Sequence, residues 1–395
     1  MKSPEKYLTK EAREVTPFMV MEVMERAQEL VKQGRDIVHM EVGEPDFPTP
    51  DLIITAMTEA LNQNKFYYAH SQGDPELREA LSYHYRERYG LNIDPFRFLV
   101  TPGTSPGFML LFGAVLSHGD GVVITDPYYC CYPNYIKFFG GQVVLCPTSE
   151  NDGFRIDPGK AKDCLSPEVK ALIINSPANP TGAVLGPDRL SALAKLDTLL
   201  ISDEIYHGLN YQSDRDHSIL EYTDRAIVVG GFSKSFAMTG WRIGYLILPQ
   251  ELARPFQRLA QNFFISVNSA VQKAAAAALL KAWPVVEERR AVYDRRRKLL
   301  IKGLKDLGLG ILVEPTGAFY VLARADHLNP DSEALVYELL EEAGVGASPG
   351  REFGSLAEGF LRFSYATSEE NIEKGLKRLA DYISSRPQKN QAASS

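Results

Sequence analysis

The chain has 395 residues, 45% of them hydrophobic and 24% charged, with a formal net charge of -7 at pH 7. That length exceeds what one compact core accommodates and suits a large domain with a smaller one attached. Acidic and basic residues are mixed along the chain, with neither a basic stripe nor an acidic tail, so no nucleic-acid partner is expected.

Met1–Val15 is charged and lacks the continuous apolar run of a secretory signal. The apolar stretch Ala274–Leu280, flanked by Lys273 and Lys281, is too short to cross a bilayer, and no membrane partner is expected. The four cysteines have no CxxC or metal spacing, and Cys130 and Cys131 are adjacent, which suits a reducing compartment; a cytoplasmic location is the expectation.

Asp74-Pro75 supplies an N-cap and a first-turn proline for a helix over Glu76–Tyr89, stopped by Gly90. Short Val/Ile-rich runs then predict buried strands at Phe98–Thr101, Val122–Thr125, Val143–Cys146, Ala171–Asn175, Leu199–Ser202, Ile227–Gly230 and Arg242–Leu248. Between them, Ser105-Pro106 opens a helix that ends near His118-Gly119, and Gly186-Pro187 precedes another. From about Pro284 a long charged helix leads into strand and helix patterns that continue to Ile383. The fold class is α/β: a large domain with a mostly parallel central sheet flanked by helices, plus a smaller α/β domain built from the N-terminal segment and the C-terminal third. The expected boundaries are 1–45 for the N-terminal segment, 46–284 for the large domain and 285–383 for the small one. The polar tail 384–395 is expected to be disordered.

In an open α/β sheet ligands gather beyond the carboxyl ends of the strands. Those ends carry Gly103-Thr104-Ser105, then Asn175 to Gly182, then Asp203-Glu204-Ile205-Tyr206, then Ser233-Lys234-Ser235. An isolated lysine is usually a solvated surface charge. Lys234, however, sits among small residues between two apolar strands, and a lysine in an enclosed, desolvated site attacks carbonyls as the free amine. Arg242, eight residues on, is available as a fixed cation for a phosphate. Gly103-Thr104-Ser105, between a strand and a helix start, offers free backbone N–H groups to an anion, although the same residues make an ordinary turn with a cap. Neither GxxxxGK[ST] nor GxGxxG is present, so a single small phosphate fits what remains. Asp203 follows its strand directly; its carboxylate serves either as a cap or to keep a pyridine nitrogen protonated. Glu204 and His207 form an ExxH pair without a second cluster, and no metal is expected.

Taken together and in order, these motifs resemble the aspartate aminotransferase family, the class I/II aminotransferases that use pyridoxal 5′-phosphate (PLP) on fold type I, from about Phe18 to Lys377. The resemblance implies that Lys234, in Ser-Lys-Ser-Phe-Ala-Met-Thr-Gly-Trp-Arg, is the Schiff-base lysine and proton shuttle. It assigns Arg242, Gly103, Thr104 and Ser105 to the phosphate, Asn179 and Tyr206 to the phenolic oxygen, and Asp203 to the pyridine nitrogen. Tyr129 matches an aromatic that stacks on the ring, where many relatives carry Trp. Gly231 stands where some relatives carry a hydroxyl, and Ser233 is the candidate substitute. Tyr68 would reach the phosphate of a partner subunit, which implies a homodimer with shared active sites. Arg362, in Phe-Leu-Arg-Phe-Ser-Tyr, resembles the arginine that grips the substrate α-carboxylate, aided by Gly43 and Asn179.

The function implied is ping-pong transfer of an amino group between an amino acid and a 2-oxo acid. A PLP-dependent β-lyase on the same scaffold and a non-catalytic PLP-binding regulator are the alternatives. The residues do not name the substrate side chain: Phe18, Tyr67 and Tyr129 suit an aromatic or an aliphatic one.

Overall fold

The computed structural model describes residues 4–64, 67–212 and 215–386. Its centre is a seven-stranded sheet in the order β1-β7-β6-β5-β4-β2-β3. The strands are β1 (Phe98–Thr101), β2 (Gly121–Asp126), β3 (Gln142–Pro147), β4 (Val169–Asn175), β5 (Leu199–Asp203), β6 (Ile227–Gly231) and β7 (Gly244–Ile247). Only β7 runs against its neighbours, pairing antiparallel with both β1 and β6, while the other pairs are parallel.

The apolar runs follow from burial on both faces. Phe98, Val100, Leu172, Ile174, Leu200 and Val228 pack into one layer; Leu99, Ala171, Ile173, Ile201, Ile227 and Val229 pack into the opposite one. A strand covered on both sides has no solvent face for polar residues, and each fully buried Val, Leu or Ile contributes about 1.5–3 kcal/mol.

A second, antiparallel sheet joins β8 (Tyr320–Arg324), β10 (Phe360–Ser364) and β9 (Ser348–Pro349), in the order β8-β10-β9. An apolar cluster around it draws in Val23, Ala27, Leu30, Val38 and Met40 from the N-terminal segment, together with Ile205 and Tyr206 from beyond β5. The N-terminal segment also forms a parallel bridge, Val38 to Val345.

Element ends differ from expectation at a few places. β7 starts at Gly244 rather than Arg242, because Arg242 adopts a left-handed backbone (φ 53°) that breaks the extended chain. The helix after β1 begins at Thr104, one residue early, and stops at Val115 because Leu116 is extended (φ -98°, ψ 132°). The long charged helix runs Trp283–Asp306, and the last helix, Glu369–Ser385, takes in Ser384 and Ser385 from the segment expected to be disordered. The rest of that tail, 387–395, lies outside the described residues. The helix Pro75–Tyr89 follows its signals closely: Asp74 accepts from the Glu76 amide at 3.0 Å, and Gly90 closes the end at φ 72°.

Candidate active site

Because β7 is antiparallel, its start lies at the same sheet edge as the carboxyl ends of β1 and β6: Gly244 pairs with both Thr101 and Gly231. Residues distant in sequence thereby meet above that edge, around a cavity of about 220 Å³ that Lys234, Asp203, Asn179 and Arg362 all line.

Lys234 leaves the end of β6 and its Nζ donates to the Gly43 carbonyl at 2.6 Å. Burial lowers its pKa to about 8; Glu44 and Asp203 oppose the change, and Arg362 and Arg242 add to it. The ammonium is destabilised by desolvation, so the free amine is accessible near neutral pH.

Asp203 ends β5 beside Asn175 of β4 and is 5% exposed. Burial raises its pKa to about 6, against two hydrogen bonds that favour the carboxylate. Tyr132 Oη donates to Oδ2 at 2.6 Å, and the Ile205 amide donates to Oδ1 at 3.2 Å. Tyr132 is a site residue that the sequence reading missed. It follows Tyr129 by three positions in an aromatic-rich run, but nothing in the chain signals its pairing with a carboxylate 71 residues away.

Arg362 lies in the middle of β10 and is 2% exposed. Its guanidinium donates to Asn179 Oδ1 at 2.9 Å, to Ser348 Oγ at 2.9 Å and to the Glu41 carbonyl at 2.5 Å. Its Nε is buried without a hydrogen-bond partner among the described residues. The rings of Tyr320 and Phe353 lie 4.4 Å and 4.8 Å from the guanidinium carbon, so the cation is held by both hydrogen bonds and π faces. Tyr320 in turn shares a 2.8 Å hydroxyl contact with Tyr206. Gly43 is obligatory here, since a Cβ on it would fall 1.7 Å from the Tyr320 hydroxyl.

Gly103 caps the helix Thr104–Val115 at φ 98°, and a Cβ there would approach Arg242 Nη2 to 2.6 Å. The helix start, where backbone N–H groups lack intrahelical partners as a rule, and the guanidinium therefore approach one another across a glycine. Thr104 and Ser105 line the cavity, as does Tyr129. At Gly231 a Cβ would meet Ile205 Cδ1 at 2.8 Å and Thr104 Cγ2 at 3.2 Å, so the missing side chain there answers to tight packing. Ser233 is not among the residues that line the cavity. Nor are Tyr67 and Tyr68: they lie at a separate surface depression with Ser266–Ser269, with Tyr68 82% exposed. Glu204 and His207 are engaged within the fold, although Glu204 Oε2 is buried without a hydrogen-bond partner among the described residues. Glu204 Oε1 accepts from Ser202 Oγ, Ser218 Oγ and the Ile219 amide, and His207 Nδ1 meets Tyr89 Oη at 2.8 Å.

A half-buried lysine of depressed pKa, a buried carboxylate and a buried arginine held by three hydrogen bonds thus line one cavity, the set of groups expected of an enzyme site. Residues 35–379 match the family model for class I and II aminotransferases. The chain is 41% identical over 380 residues to the aspartate/prephenate aminotransferase of Thermus thermophilus, covering 94% of this chain and 98% of that one. It is 36% identical over 378 residues to the valine–pyruvate aminotransferase of Mycobacterium tuberculosis, covering 94% and 97%. The solved aspartate aminotransferase from Thermus thermophilus with maleate superposes with a TM-score of 0.90 over 95% of this chain and 99% of that one. The chain belongs to the class I and II aminotransferase family. It is an aminotransferase, moving an amino group between an amino acid and a 2-oxo acid, as expected, and the alternative of a β-lyase is not favoured. Among the described residues no helix is long and apolar enough to cross a membrane.

Proposed function

We propose that PLP, the cofactor of this family, binds in the cavity above the β1, β5 and β6 ends, with Lys234 as its covalent anchor. The observation that carries this reading is the convergence of Lys234, Asp203 and Arg362 on one enclosed space. The residues fit the group. The Gly103 cradle leaves no room for a Cβ against Arg242, and Asp203 is a buried carboxylate with no cation hydrogen-bonded to it among the described residues. When bound, the cofactor supplies an electron sink for the pair released at the substrate Cα.

The chain's own residues do the rest. Lys234 would hold and return the proton of the substrate Cα, a task that its depressed pKa suits. Asp203 would hold the ring nitrogen, while Tyr206 and Asn179 would hydrogen-bond the phenolic oxygen. Gly103, Thr104, Ser105, Ser233 and Arg242 would take the phosphate. Tyr129 covers the ring. Arg362, with Asn179 and the Gly43 backbone, orients the substrate carboxylate and so the Cα–H bond.

The exposure of Tyr67 and Tyr68, away from their own chain's cavity, supports a homodimer in which Tyr68 serves the partner's phosphate site. The domain division at 46–284 and 285–383 is supported by the two separate sheets and their apolar clusters. Four free cysteines support a cytoplasmic location. Borohydride reduction of the PLP-loaded protein followed by peptide mass analysis tests the anchor. A phosphopyridoxyl mass on the Lys234 peptide is expected; its appearance on another lysine overturns the assignment.

A further inference from the structure

The family relationship leaves the substrate side chain open, but the walls of the cavity do not. Its apolar lining includes Phe18, Val20 and Met21 at the start of the helix Met19–Lys32, together with Val42, Phe108 and Ile205. The charged residues that line the cavity, among those described, are Lys234, Asp203 and Arg362. Each is engaged: Lys234 with the Gly43 carbonyl, Asp203 with Tyr132 and Ile205, Arg362 with Asn179, Ser348 and Glu41.

Beyond Phe18 lies an adjoining cavity of about 380 Å³, and its charges do not favour an acidic guest either. Glu352 there accepts from the Met19 amide at 3.1 Å. Arg351 is drawn away to Glu333 at 3.1 Å and Asp331 at 3.6 Å, and Lys137 is exposed on the helix Cys131–Phe138. A second carboxylate placed against Phe18 and Met21 would lose its hydration without gaining a cation, whereas an apolar side chain gains from the same burial.

We propose that this site selects amino donors with an apolar side chain, aliphatic or aromatic, and discriminates against aspartate and glutamate, with Phe18 and Met21 as the specificity-determining contacts. The inference rests on the assignment of the reaction to this cavity.

The test is the single-turnover spectral conversion of the PLP-loaded enzyme by L-leucine, L-phenylalanine, L-alanine, L-aspartate and L-glutamate, each without acceptor. Leucine or phenylalanine is expected to exceed aspartate and glutamate in rate constant over half-saturation by roughly tenfold or more, the scale of discrimination by an apolar pocket. Phe18→Ala and, separately, Met21→Ala are expected to lower the value for leucine and phenylalanine more than that for alanine. Phe18→Lys is expected to narrow the gap to aspartate. Efficient conversion by aspartate or glutamate at rates above leucine and phenylalanine overturns the pocket assignment while leaving the aminotransferase site intact. An equal loss for every donor in both alanine variants also overturns it, because Phe18 and Met21 then act on the fold and not on the side chain. Absence of conversion by every donor, with PLP still reducible onto Lys234, overturns the underlying assignment of the reaction to this cavity.

Discussion

The Tyr132 hydroxyl donates to Asp203 Oδ2 at 2.6 Å inside a fully buried pair, the shortest polar contact made by that carboxylate. It stabilises the ionised form against the desolvation that pushes the Asp203 pKa up to about 6. Tyr132→Phe removes that support, so the pKa rises further. A hydrogen bond to a charged group contributes about 1.5–3 kcal/mol, equivalent to about one to two pH units. The acid limb of the kcat profile is expected to move to higher pH by that amount, with the rate at pH 9 little changed. A profile that keeps its acid limb would show that Asp203 does not need to be ionised.

Asp203 itself links pH to stability. Its folded pKa of about 6 lies above the ordinary value of 3.8, so the folded chain binds the proton more tightly than the unfolded chain. Burying the charge therefore costs stability in full above pH 6, and the cost vanishes below the ordinary value. Asp203→Asn, which keeps a partner for both Tyr132 and the Ile205 amide, is expected to raise the melting temperature of the cofactor-free protein at pH 8. The gain corresponds to about 3 kcal/mol at most and fades by pH 4. Calorimetry across pH 4–8 checks the sign, and the same variant is expected to lose transamination.

Lys234 titrates near 8 in the folded chain, so its free amine grows about tenfold in fraction from pH 6 to pH 7 and levels off above 8. Capture of PLP by the cofactor-free protein, followed by absorbance, is expected to show that dependence. A capture rate still climbing steeply at pH 10 would mean that the lysine is not desolvated.

Arg362 cannot be exchanged for lysine without loss, because a point charge cannot satisfy Asn179, Ser348 and the Glu41 carbonyl while presenting two parallel donors to a carboxylate. Arg362→Lys is expected to lower kcat/KM for all amino donors by roughly a hundredfold, as for a buried charged pair disturbed on one side by about 3 kcal/mol. Equal kcat/KM in the variant would remove Arg362 from substrate binding.

Gly103→Ala brings a methyl against Arg242 at a backbone angle of φ 98° that side chains rarely adopt. Strain of this kind costs about 1–3 kcal/mol. Equilibrium dialysis is expected to show PLP bound about ten- to a hundredfold more weakly, with the far-UV spectrum unchanged. Undiminished affinity would separate Gly103 from the phosphate.

The order of elements was legible in the chain because burial on both faces of a sheet forces continuous apolar runs, and because Asp74-Pro75 and Gly90 mark helix ends chemically. The lysine, the aspartate and the arginine were legible too, since each sits in a run of residue types that its chemistry requires. Three-dimensional relations were not. That Arg242 precedes a strand running opposite to its neighbours, and so returns to the edge where Lys234 and Asp203 emerge, depends on sheet order, which no local pattern encodes. The same holds for Tyr132 against Asp203, for Tyr320 joining Tyr206 to Arg362, and for Met21, which lines the cavity together with Phe18. The sequence by itself determined which chemical groups the protein possesses and the elements that carry them, because propensity, capping and apolar periodicity act over a few residues. Only the tertiary structure decided which groups share a low-dielectric space, because burial, pKa and pocket shape arise from contacts between segments hundreds of residues apart.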